Sequence, residues 1–151
     1  MIRAALLFVT ACMAFGAWIA MFVGGEGILL SRGAGSLKYF TILSNLFAGT
    51  MSLVCLACLV FRREETRAVR LLHFMSAGAV GLTFFVVMTF LGPIIGYPPM
   101  FAGPTIYLHL FVPLLGAAEW IFFEETLMTK RDCVLAVIPT VLYGTGYLAS
   151  G

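Results

Sequence analysis

The chain has 151 residues, of which 62% are hydrophobic and only 11% charged, with a mean hydropathy of +1.05. That leaves too little polar surface to cover a soluble globule, so the composition implies an integral membrane protein. The formal net charge is only +2, and basic residues are mixed with acidic ones in Arg62-Arg63-Glu64-Glu65, which excludes a nucleic-acid partner.

Five apolar stretches follow one another, at residues 4–23, 39–61, 71–91, 105–123 and 133–149. Each approaches the roughly 20 residues needed to cross the hydrocarbon, and none alternates as a barrel strand does. The expected fold is therefore all-α, a polytopic transmembrane helical bundle of about five spans, in a single domain over residues 1–151. The first stretch follows Arg3 like a secretory signal, but it exceeds the roughly 7 to 15 residues of a signal core and no small-x-small site closes it. It is read as a span. Gly24, Gly25 and Gly27 then loosen the chain around Glu26, which predicts an irregular segment at the membrane surface.

With five spans, Arg3, Arg62, Arg63, Arg67, Arg70, Lys130 and Arg131 fall on one side and only Arg32 and Lys38 on the other. The positive-inside rule then puts the N-terminus in the cytoplasm, in a multi-pass protein of the cell membrane, with the C-terminus outside. The third connection, residues 92–104, lies on the outer side. It has no charge and holds Pro93, Pro98, Pro99 and Pro104, four of the six prolines. Its apolar residues suit an interfacial segment, a lid over a lipid-accessible pocket.

Thr41 stands about two residues inside the second stretch and His109 about four inside the fourth, both counted from the outer end. At 1.5 Å per residue their levels differ by about 3 Å. Polar groups able to move protons are rare at such depth, and a pair at one level suggests a site. Ser44 and Asn45 fall one turn below Thr41, so the three form a polar stripe facing other helices.

The run Leu37-Lys38-Tyr39-Phe40-Thr41-Ile42-Leu43-Ser44-Asn45-Leu46, taken with His109-Leu110-Phe111-Val112-Pro113 and Glu119-Trp120, resembles the Pr-six-Pr family of small bacterial membrane proteins. That family is distantly similar to the androgen-induced membrane hydrolases, which cleave fatty-acid esters of hydroxy fatty acids. The resemblance covers most of the chain. It implies Thr41 as nucleophile and His109 as its partner, and a sixth span, since related chains usually have six. Membrane lipid and a lipid-like ester are the partners it implies.

The chemistry is coherent: a threonine hydroxyl attacking an acyl carbonyl needs a base, which a neutral imidazole supplies, and the oxyanion needs a donor, for which the Asn45 amide is nearest by helical spacing. No acidic residue to orient His109 is evident, because Glu119 lies about 15 Å further along the same helix. Two non-enzymatic alternatives stand beside this reading. Thr41, Ser44, Asn45 and His109 serve equally as interhelical glue in a structural or assembly subunit, and the polar stripe with Glu119 would line the path of a small transporter.

His73 is expected at the interface beside the basic connection. Glu119 is expected to be protonated, or to pair with His73 or an arginine of the second connection. Cys55 and Cys58 form a C-x-x-C inside a span with no nearby histidine, so they and Cys12 and Cys133 read as packing residues. No haem, flavin or metal site is indicated, and no cofactor is expected.

Overall fold

A computed structural model describes residues 1–24 and 33–149. The glycine-loosened segment around Glu26 and the Arg32 position lie outside the described residues. The described chain is helical, without strands: α1 (Ile2–Gly24), α2 (Phe40–Val60), α3 (Arg67–Ile95), the short α4 (Tyr97–Met100), α5 (Tyr107–Phe123) and α6 (Lys130–Ala149). A 3-10 turn, Gly33–Lys38, leads into α2. Four helices, α1, α2, α3 and α6, are long and apolar enough to cross a membrane, and α5 is a shorter apolar helix. This architecture is consistent with a multi-pass membrane protein.

Local chemistry sets the helix ends. Thr66 opens α3 by accepting the Val69 N–H at its hydroxyl. Thr129 and Asp132 form a reciprocal capping box at the start of α6. At the end of α2, Arg62 takes a left-handed conformation (φ +51°) and the Arg63 N–H returns to the Cys58 carbonyl at 2.8 Å.

Two prolines shape the bundle interior. In α3 the turn Val87–Leu91 is widened to π geometry, with the Gly92 N–H on the Val87 carbonyl, and Pro93 follows immediately. In α5 the turn Tyr107–Phe111 is widened in the same way, with the Val112 N–H on the Tyr107 carbonyl, and Pro113 follows. The wider turn relieves the clash of a proline ring with the preceding turn, but the missing proline N–H leaves one carbonyl free in each helix. Side chains fill both vacancies. The Tyr97 hydroxyl donates to the Met88 carbonyl at 3.0 Å, and Asn45 Nδ2 donates to the Leu108 carbonyl at 3.1 Å. The first device corrects the expected third span of 71–91: the helix absorbs Pro93 and runs to Ile95, so the 92–104 connection is half helical.

The core is built from four helices. Ala14, Ala48, Val80 and Val112 meet at its centre, one from each of α1, α2, α3 and α5. A second cluster joins Ala17, Met21, Ile42 and Leu108. Small residues let the backbones approach: a Cβ added at Gly49 would stand 3.0 Å from the Ala14 Cβ and 3.1 Å from the Phe15 ring. α6 lies outside this core against α3, with only 6% of its apolar window buried.

Helix direction alternates, so the α1 start, the α2–α3 connection, the α5 end and the α6 start gather at one end, where Arg3 reaches Glu65 and Glu119 and Arg67 reaches Asp132. The opposite end holds the starts of α2 and α5, the end of α3, α4, and the later part of α6, where the Tyr143 hydroxyl donates to the Lys38 carbonyl at 2.8 Å. All seven basic residues counted on one side of the membrane belong to the first end.

Candidate functional site

His109 sits in the widened turn of α5 and is 3% exposed. Its Nδ1 lies 2.7 Å from the carbonyl oxygen of Met100 in α4. A carbonyl only accepts, so Nδ1 carries the proton and donates it, and the lone pair of the neutral ring is on Nε2. Met100 is itself buried. The segment that carries it is bounded by Gly96 (φ +100°) and Gly103 (φ +55°), backbone conformations that favour glycine. The connection expected as a lid thus reaches back into the protein and orients the histidine through its main chain.

Thr41 is half-buried in the first turn of α2. Its carbonyl accepts from the Ser44 hydroxyl at 3.1 Å and from Asn45 Nδ2 at 2.7 Å. The same Asn45 nitrogen reaches the Leu108 carbonyl, so one amide bridges the Thr41 backbone to the residue preceding His109. Ser44 Oγ is 3.0 Å from Thr83 Oγ1, which ties α2 to α3. The structure therefore joins Thr41, Ser44, Asn45 and the His109 turn in one network at one end of the bundle. Among the described residues no hydrogen bond links the Thr41 hydroxyl to the His109 ring. The oxyanion role drawn for Asn45 requires one of its two N–H groups to leave a carbonyl, while its Oδ1 is buried without a hydrogen-bond partner among the described residues.

The other end holds a second constellation that the sequence reading only partly assembled. Glu119, 1% exposed, accepts from Arg3 Nε at 2.7 Å and lies 3.4 Å from His73 Nε2. Arg3 also meets Glu65 at 2.9 Å. His73 is not an interface residue as expected. It is 3% exposed, turned inward against Glu119 and the edge of the Trp120 ring, with ring centroids 5.7 Å apart. The expected pairing of Glu119 with His73 is present, but the arginine comes from α1, not from the second connection. Arg67 and Arg70 of that connection instead bind Asp132 and Thr126. The available signal was position: Arg3 is the second residue of α1 and Glu119 lies about one turn before the end of α5, at the same end of the bundle.

No protein-family model, curated protein or solved structure matches this chain. Function must therefore be argued from the geometry. Among the described residues no three His, Cys, Asp or Glu side chains gather in a way that could hold a metal ion. Cys55 is fully buried in α2, Cys58 is partly covered, and both are free thiols.

Proposed function

We propose that the chain is an intramembrane hydrolase of lipid-like esters, working near the outer leaflet with Thr41 as nucleophile and His109 as general base. The observation that carries this reading is the buried His109 imidazole, whose Nδ1–H is held by the Met100 carbonyl so that Nε2 is the basic nitrogen. The main-chain carbonyl takes the orienting role that an acidic side chain has in other hydrolases. The resemblance of the Thr41 and His109 segments to the androgen-induced hydrolases supports the same pairing, and the seven-to-two basic asymmetry supports a cytoplasmic N-terminus in the cell membrane.

In this mechanism the Thr41 hydroxyl passes its proton to His109 Nε2 as its oxygen attacks the ester carbonyl. The tetrahedral intermediate collapses, the alcohol leaves with the proton returned from His109, and the acyl group remains on Thr41. Water, deprotonated by the same imidazole, then releases the carboxylic acid and restores the hydroxyl. The first step requires Thr41 Oγ1 and His109 Nε2 to come within hydrogen-bond reach when substrate binds.

The test is turnover of a long-chain acyl ester by the purified chain in lipid nanodiscs. Thr41→Ala and His109→Ala should each lose at least 100-fold, with helix content retained and the chain folded at the assay temperature. Full activity in either variant refutes the proposal. A second reading, a non-enzymatic structural or assembly subunit, is favoured by Ser44 and Asn45, which join α2 to α3 and α5. It predicts that Thr41→Ser and His109→Gln change thermal stability or partner retention while no ester is turned over by the wild type.

A further inference from the structure

The seam between α2, α3 and α6 leaves an apolar slot of about 300 Å3, walled by Phe40, Leu43, Phe47, Ala79, Leu142 and Tyr143. A second hollow of about 230 Å3 shares Leu43 and Tyr143 with it and reaches Lys38 and Tyr147. The two adjoin along the α6 face at Leu43 and Tyr143, the second lying toward Lys38. The seam is held at both ends. The Phe40 and Tyr143 rings stand 5.1 Å apart and the Tyr143 hydroxyl holds the Lys38 carbonyl, while the Arg67–Asp132 pair closes the other end. Between these ties α6 covers little of the bundle.

A void of this size in hydrocarbon is filled by chain methylenes, because an empty wall forfeits its dispersion contacts. Ser44 is the one polar side chain that α2 adds to the wall, and its hydroxyl is already engaged by Thr83 and the Thr41 carbonyl. The slot therefore accepts an apolar chain. The mouth is different. The Lys38 ammonium lies 5.2 Å from the Tyr39 ring centroid, and the described residues of this end include no other Lys or Arg and no Asp or Glu. A lysine beside an apolar slot, with the Tyr143 and Tyr147 rings next to it, is complementary to an anionic head with a long tail.

We propose that these two adjoining hollows bind one anionic phospholipid, an acyl chain in the slot between α2, α3 and α6 and the phosphodiester at Lys38. The site touches the Thr41 and His109 network only at Ser44, and it stands whether or not that network is catalytic. It predicts selection by head-group charge, of about fivefold for one lysine at the membrane surface.

The experiment is native mass spectrometry of the full chain in detergent, titrated separately with phosphatidylglycerol and with phosphatidylcholine of the same acyl chains. One retained phosphatidylglycerol per chain is expected, preferred about fivefold over phosphatidylcholine. Lys38→Gln should abolish the preference and Lys38→Arg should keep it. Leu142→Trp, at a position 66% exposed and so tolerant of a larger ring, should fill the slot and lose the adduct. Equal retention of phosphatidylglycerol and phosphatidylcholine, a preference that survives Lys38→Gln, an adduct that survives Leu142→Trp, or a protein dimer in place of the adduct would each overturn the proposal.

Discussion

Removing the Arg3 side chain should destabilise the bundle far more than an ordinary surface charge would. Glu119 is 1% exposed and its strongest contact is the 2.7 Å bond from Arg3 Nε, with His73 further off at 3.4 Å. Arg3→Met leaves that carboxylate buried with its main cation gone, a change that costs about 3 to 5 kcal/mol. Glu119→Gln alone leaves Arg3 its second partner, Glu65, at 2.9 Å, so it should cost less, about 1 to 3 kcal/mol. The double variant buries neither charge of the pair, and its stability should return to within about 1 kcal/mol of Glu119→Gln. Trp120 packs beside His73 and provides a local fluorescence reporter for equilibrium unfolding in mixed micelles. A coupling between the two positions of about 2 kcal/mol or more is expected. Strictly additive losses would show that the buried pair does not hold the bundle together, and the account of this end would be wrong.

Asn45→Leu strips the Leu108 carbonyl of its donor and should cost about 1 to 3 kcal/mol in a thermal or denaturant melt. Part of that loss should disappear in a Pro113→Ala background, because alanine supplies an N–H to the same stretch of α5; an undiminished loss would contradict the vacancy created by proline. Gly92→Ala places a methyl group against the Tyr97 ring and should break its bond to the Met88 carbonyl. The expected readout is faster chymotrypsin cleavage after Phe101, and unchanged cleavage would argue that the ring has room to shift.

Hydropathy made the helical class and most helix positions legible, because burial in lipid demands long apolar runs whatever their partners. It did not show where α3 ends. Pro93 reads as a terminator in a sequence, whereas the widened turn at Val87–Leu91 lets the helix pass it. Asn45 was placed on the correct stripe by its spacing from Thr41, but its Leu108 partner depends on a carbonyl freed by Pro113 in another helix, which no local pattern reveals. Arg3 was counted only as a topology signal, since its contact with Glu119 spans almost the whole chain. His109 stood out by its depth and by the resemblance of its segment, and the Met100 carbonyl that orients it is a main-chain group that carries no sequence signature.

The central claim, that Thr41 is a nucleophile activated by His109, is tested most directly by labelling the purified protein with a lipophilic probe for serine and threonine hydrolases. Mass spectrometry then locates the adduct in wild type, Thr41→Ala and His109→Ala. The account predicts an adduct on Thr41 in the wild type that is absent in both variants. A well-folded wild type that takes no adduct from probes of several shapes, or an adduct on Thr41 that persists in His109→Ala, would contradict it.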